Sequence, residues 1–241
     1  MSSLAYPAET SSVLVDLKRR LRRTASPRLW HLLCDARTHA RLLRYRFIGR
    51  PRGAGETAKA YARRMREGFF ETYCCGRGLD IGYGGDLLCE NCMGWDLEHG
   101  DAQRLDGLRD ESFDFAYSSH TLEHVADATR ALRNWYRVVK RGGYLILFLP
   151  DRDLYEKRRT LPSRWNPEHR RFFLLDRDEP PDTVGLLPMI ARTIPEAVLV
   201  SARRCCDGHT IADPMTHSDG EYSLEVILQR RIHEYPDRTA E

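Results

Sequence analysis

The sequence predicts an α/β fold built on a mostly parallel sheet. Three observations carry this. Leu79-Asp80-Ile81 is a short apolar segment stopped by Gly82, so a strand runs into a glycine turn. A second strand (113–117), a helix (127–140) and a third strand (144–149) follow in that order, which is βαβ grammar. The run over 144–149 is continuously apolar and of strand length, as expected for a strand buried on both faces. The 241 residues suffice for one domain with a sizeable core and an added helical segment.

Taken in order, residues 12–23 place Val13, Leu14, Leu17 and Leu21 on one helical face, with Arg and Lys between them. Ser26-Pro27 reads as an N-cap with proline at the first helical position. The helix it opens runs to Phe47. Pro51, Gly53 and Gly55 mark 48–56 as a linker, and 57–73 is helical again. The expected division is a basic helical segment with its linker over 1–56 and a main domain over 57–241. Within that domain Gly142-Gly143 reads as the stop signal of the 127–140 helix. The polar, proline-punctuated stretch at about 151–187 reads as a substrate-covering insertion, and 197–202 and 223–229 as two late strands.

Composition narrows the function class. With 41% apolar and 30% charged residues, 17 Gly and 12 Pro, the chain is neither collagen-like nor of low complexity. Its longest apolar run is too short to cross a bilayer, and the first residues show no secretory pattern, so a cytoplasmic protein is expected. Charge is uneven. Residues 1–70 hold 16 Lys and Arg against 5 Asp and Glu, whereas 71–241 hold 22 against 30. The basic front is read as a solvated face, with contact to an anionic membrane surface as its functional use. No stable nucleic-acid complex is expected, because no basic stretch is interleaved with aromatics. Seven cysteines, an odd count with adjacent pairs, are read as reduced thiols. Cys89 and Cys92 have metal-ligand spacing, but Cys74 and Cys75 complete such a site only if the fold brings them close, so no metal is expected.

In a parallel sheet, ligands sit at the carboxyl ends of strands. The first strand ends in LDIGYGGD. Gly82 and Gly84 let the turn pass close to a ligand, whereas Asp86 stands near the third-glycine position and repels a diphosphate. A cofactor without phosphates follows. Asp80 suits an amino-bearing ligand, Asp96 at the next strand end suits ribose hydroxyls, and Asp101 suits a purine amino group.

These segments, with GDAQRL, ESFDFAYSSHTLEHV and WYRVVKRGGYLILFLPD, occur in the order of the class I S-adenosylmethionine-dependent methyltransferases. The chain resembles that family, and most of all its type 11 group, firmly over 76–151 and loosely over the late strands. The resemblance implies a Rossmann-like sheet of seven strands, mostly parallel with an antiparallel last strand, and S-adenosylmethionine as cofactor. It implies that Gly82 and Gly84 border the methionine part, Asp96 holds the ribose, and Asp101 and Ala102 lie near the adenine. Ser118, Ser119 and His120 match positions lining the cofactor and the methyl-transfer site. The chain departs from the pattern: the third glycine is shifted to Gly85, Trp95 follows Gly84 by only eleven residues, and four residues separate Asp96 from Asp101. A helix and a strand do not fit there, so one edge of the sheet is expected to be trimmed.

Methyl transfer to oxygen needs a base, and histidine is the natural one near neutral pH. His120, His124 and His169, with Asp151 after the 144–149 strand, are the candidates. Asp151 and Asp153 are read as solvated loop acids rather than metal ligands. LPDRDLYE and WNPEH resemble methyltransferases of bacterial glycan and surface-polysaccharide assembly, so O-methylation of a sugar hydroxyl is the expected activity. Methylation of a small natural product or of RNA, and a catalytically inactive domain, are the alternatives.

Overall fold

The computed structural model describes residues 56–232. The expected helices over 12–23 and 27–47 and nearly all of the linker lie outside these residues. The described chain opens with three short helices, α1 (Glu56–Lys59), α2 (Tyr61–Arg66) and α3 (Phe69–Tyr73). The single helix expected over 57–73 is thus broken, and Gly68, left-handed at φ +64°, supplies one of the breaks.

Then come β1 (Gly78–Ile81), β2 (Cys92–Trp95), β3 (Phe113–Ser119), α4 (Ala128–Arg137) and β4 (Val139–Pro150). A π-helical turn (Arg152–Glu156) is followed by β5 (Phe172–Leu174), β6 (Thr183–Gly185), α5 (Leu186–Thr193), β7 (Val198–Cys205) and β8 (Ser223–Gln229). Six strands form the main sheet in the order β2-β1-β3-β4-β8-β7, and β5 pairs with β6 in a separate parallel ribbon. The four strands from β2 to β4 run parallel, and β8 is antiparallel to both of its neighbours. Among the described residues six strands stand in place of the seven implied by the family resemblance, and the sheet they form ends at β2, the edge expected to be trimmed. Residues 82–91 and 97–112 form turns only: the His99 N–H donates to the Asp96 carbonyl at 2.7 Å, and that of Leu105 to the Asp101 carbonyl at 3.0 Å.

Side chains alternate across the strands, and the two faces are covered differently. Leu79, Ile81, Leu145, Leu147, Leu224 and Val226 join one apolar cluster with Leu132 and Trp135 of α4 and Met189 and Ile190 of α5. The N-cap Asp127 opens α4, accepting from the Arg130 N–H at 2.9 Å. On the opposite face Arg64 of α2 is fully buried, its guanidinium stacked near Phe69, Tyr117 and Phe148. It pairs with Glu225 of β8 at 2.8 Å, and Arg63 pairs with Glu221 at 2.9 Å and Glu225 at 3.0 Å. Two cations of the basic front are therefore core groups, and the solvated-face reading does not extend to them.

Gly142-Gly143 is not a helix stop. Helix α4 ends at Arg137, and the glycines lie inside β4. Gly142 takes φ +80°, and a Cβ on Gly143 would meet the Asp114 carbonyl oxygen at 2.3 Å. The pair lets β4 press against the bulged start of β3.

Candidate active site

Because β1, β2, β3 and β4 are parallel, their carboxyl ends form one rim. Ile81 is level with Trp95 and Ser118, and Ser119 with Phe148. Gly82, Asp96, His120 and Asp151 each stand just past one of these ends.

The left half of the rim is a small backbone cradle. The Gly82 N–H donates to the Trp95 carbonyl at 2.7 Å. At φ +75°, with a hypothetical Cβ only 2.0 Å from Thr121 Oγ1, position 82 admits only glycine. Gly84 is also left-handed at φ +56°, yet a Cβ there would meet nothing within 4 Å, so this turn borders open space. Its N–H donates to Asp96 Oδ2 at 3.0 Å, and the Leu97 N–H to Asp96 Oδ1 at 2.7 Å. Buried Asp80 accepts from the Leu88 N–H at 2.7 Å and holds the far end of the loop. Ser118 is buried and donates to the Ile81 carbonyl at 3.2 Å; Ser119, one residue on, ends β3. The fold thus brings Asp80, Gly82, Gly84, Asp96, Ser118 and Ser119 to one place. Asp101 stands apart in the next turn, exposed, accepting from the Gln103 N–H at 2.9 Å. The Ala102 carbonyl accepts from Trp135 Nε1 at 2.8 Å, which ties this turn to α4.

The right half is a cup of imidazoles, phenols and carboxylates. His120, left-handed at φ +48°, places Nε2 3.0 Å from Ser223 Oγ. Burial pushes its pKa down to about 4, so the ring is neutral near pH 7. Glu123 has no exposed surface, and neither carboxylate oxygen has a hydrogen bond from another residue. Three imidazoles surround it instead: His120 Nδ1 at 3.9 Å, His124 Nε2 at 3.8 Å and His169 Nε2 at 3.9 Å. Burial pushes Glu123 up to about 8. His169 Nδ1 lies 2.5 Å from Glu156 Oε1, and Ser163 Oγ donates to Glu156 Oε2 at 2.5 Å. Tyr155 packs against His120, His169 and Tyr222. The Tyr222 hydroxyl donates to Glu56 Oε1 of α1 at 2.5 Å.

Asp151 differs from the solvated loop acid expected. It is buried, and its Oδ1 accepts from the Asp153 N–H at 2.8 Å, the Leu154 N–H at 3.0 Å and Arg204 Nη2 at 2.8 Å. It caps the π-helical turn that carries Tyr155 and Glu156. The first turn of the 151–187 stretch is a wall of the cup.

Residues 78–147 match a family model described as a methyltransferase domain. The chain carries a class I S-adenosylmethionine-dependent methyltransferase domain. Of the similar solved structures, the first named here agrees in fold. A protein of echinomycin biosynthesis, described with the conversion of a disulfide bond into a thioacetal group, is 16% identical with a TM-score of 0.50, covering 73% of this chain and 82% of that chain. An S-adenosylmethionine-dependent methyltransferase of Mesorhizobium loti is 17% identical with a TM-score of 0.44, covering 72% and 98%. One from Thermotoga maritima, a possible histamine N-methyltransferase, is 19% identical with a TM-score of 0.42, covering 73% and 99%. No curated protein matches.

The methyltransferase takes S-adenosylmethionine as its cofactor, and the cradle fits it. A carboxylate at the end of β2, an open glycine turn beside it and, among the described residues, no Lys or Arg bonded to either suit a ribose and an amino acid rather than a diphosphate. No helix among the described residues is long and apolar enough to cross a membrane.

Sequence reasoning missed Glu56, Glu123, Tyr155, Glu156 and Tyr222. Glu123 and Glu156 stood inside quoted motifs, SSHTLEHV and LPDRDLYE, but nothing local marked them as buried. The thiols at the amino ends of β1 and β2 form a separate group. Cys89 Sγ lies 3.4 Å from Cys92 Sγ, and the Cys74 thiol shares a hydrogen bond with Cys89, which together with burial pushes it up. The fold therefore does bring Cys74 to the CxxC pair, whereas exposed Cys75 donates to the Glu71 carbonyl at 3.0 Å.

Proposed function

We propose that this methyltransferase transfers a methyl group to a hydroxyl oxygen of a sugar in a bacterial glycan or glycolipid. The observation that carries the reading is the cup at the ends of β3 and β4. Three imidazoles, the neutral His120 ring among them, stand beside the cofactor cradle, with the Tyr155 ring packed against two of them as an apolar wall for a sugar ring.

In this reading Gly82 and Gly84 admit the methionine part, Asp80 and Ser118 keep the loop and β3 in place behind it, and Ser119 lines it. Asp96 receives the ribose hydroxyls, and Asp101 with Ala102 flanks the adenine. S-adenosylmethionine supplies the methyl group on a sulfonium, a good leaving group once an oxygen is aligned with it. His120 is the base. In the tautomer whose Nε2 donates to Ser223 Oγ, the Nδ1 lone pair is left to take the acceptor's hydroxyl proton, and the Glu56 carboxylate favours the imidazolium. His124 and His169 complete the cup. Asp151 positions the turn that bears Tyr155. The basic residues of 1–55 hold the enzyme at the anionic cytoplasmic face of a membrane, where lipid-linked sugars are assembled.

Incubation with methyl-labelled S-adenosylmethionine and a panel of sugar nucleotides, lipid-linked glycans, small natural products and RNA tests the reading. Label in a sugar ether, lost in His120→Asn, supports it. Label only in RNA or in a non-sugar acceptor overturns the substrate class. Failure of the full chain to sediment with anionic vesicles at low salt overturns the membrane part.

A further inference from the structure

We propose that Glu123, His124 and His169 bind one divalent cation of the borderline class, zinc foremost, at the acceptor end of the site. The proposal goes beyond the sugar reading: the cation site rests on these side chains alone, whatever the acceptor is.

Glu123 is a fully buried carboxylate whose two oxygens accept nothing from another residue. Burying such a group without a hydrogen-bond partner is strongly unfavourable. Its neighbours are imidazole nitrogens at 3.8 and 3.9 Å. That spacing is too long for a hydrogen bond, which closes at about 2.7–3.2 Å. It is close to what a metal needs: ligands about 2.1 Å from a tetrahedral ion lie about 3.4 Å from one another. The three ligand atoms all lie within 4.8 Å of one another, so the two glutamate–histidine pairs close by about half an ångström, and the remaining pair by up to about 1.4 Å, to seat the ion.

The surroundings are those of a metal site. His169 Nδ1 is held by Glu156, itself held by Ser163, so Nε2 is left with its lone pair toward Glu123. This is the carboxylate–histidine–metal relay that orients ligating imidazoles. Glu123 and Glu156 are both buried, and no Lys or Arg side chain hydrogen-bonds to either carboxylate among the described residues. A dication bound there displaces the Glu123 proton and offsets the carboxylate charge that results. His124 is 28% exposed, which leaves an entry path. Two imidazoles and one carboxylate with an open fourth position favour zinc-like ions over magnesium. The sequence reading expected no metal; it looked for ligands among cysteines and loop acids, not across the fold.

The catalytic consequence rests on the O-methylation reading. An acceptor hydroxyl on the ion would be acidified, its proton passing to His120 Nδ1. The O–CH₃ bond then forms as the S–CH₃ bond breaks, and S-adenosylhomocysteine leaves.

The test is titration of the chelator-stripped full chain with Co²⁺, followed by displacement with Zn²⁺, alongside calorimetry with S-adenosylhomocysteine. We expect one equivalent of Co²⁺ with visible d–d bands and no thiolate charge-transfer band. Affinity should fall at least 100-fold in His169→Asn and in Glu123→Gln, and about 10–100-fold in Glu156→Gln. His124→Asn, at the half-exposed ligand, should fall similarly without threatening the fold. Absence of stoichiometric binding overturns the proposal. So does unchanged affinity in both histidine variants, or a sulfur band abolished by Cys89→Ser, which would put the ion on the thiols. Cofactor binding with no cobalt site sinks the metal and spares the methyltransferase reading; a cobalt site without cofactor binding does the reverse.

Discussion

The Gly84 N–H donates to the Asp96 carboxylate at 3.0 Å, joining the loop after β1 to the end of β2. Where a longer chain would place a helix between these strands, a single side chain braces the loop. Asp96 therefore shapes the cradle in addition to the ribose contact proposed for it. Asp96→Ala should weaken S-adenosylhomocysteine binding at least 10-fold while lowering stability by only about 1 kcal/mol. Calorimetric titration and thermal unfolding read the two effects separately, and equal binding in the variant would remove Asp96 from the cofactor site.

The two loop glycines should fail differently. At Gly82 a methyl group would sit 2.0 Å from Thr121 Oγ1 at a left-handed φ, so Gly82→Ala should cost about 2 kcal/mol or more. At Gly84 the space is open, and Gly84→Ala bears only the backbone cost of about 1 kcal/mol. A folded Gly84→Ala protein that no longer binds S-adenosylhomocysteine would place the cofactor against that turn. Unchanged affinity would place it elsewhere.

Acid stability should depend on Glu225. Burial raises its pKa, but Arg64 and Arg63 outweigh burial and hold it at about 2. The folded value lies below the ordinary 4.5, so its contribution is fully present above that pH. It is lost as pH falls from about 4.5 through about 2. Glu225→Gln leaves the buried Arg64 without its carboxylate, while Arg63 keeps Glu221, and should cost about 3–5 kcal/mol near neutrality. Circular dichroism against pH should show the variant's stability flattened over that acid window. A wild-type-like acid limb would deny the pairing its role.

His120→Asn should lower kcat at least 100-fold, because asparagine tolerates the left-handed backbone but takes no proton. Binding of S-adenosylhomocysteine should stay within 3-fold of wild type. Parallel loss of both would mark His120 as a structural residue.

Local pattern determined a good part of this protein. The four strands at 78–81, 113–119, 144–149 and 223–229 were legible, because apolar runs and glycine stops record which segments are buried. The trimmed edge was legible too, since connection lengths bound what can fit between β1, β2 and β3. So was the ordered rim of Asp80, Gly82, Asp96 and His120, because parallel strands align their ends. Where the reading failed, a distant partner decided. Gly142-Gly143 looked like a helix stop until the Asp114 carbonyl of β3 lay against it. Arg64 looked like one more basic surface residue, yet it pairs with Glu225, 161 positions away, beneath the sheet. Glu123, Glu156 and His169 come together only because β3, the π-helical turn and the loop before β5 converge on one end of the sheet. Periodicity records the apolar face of an element; it carries no record of which charged groups meet across that face. Burial makes those meetings decisive, since a buried charge must find a partner, and only the tertiary structure supplies the distance.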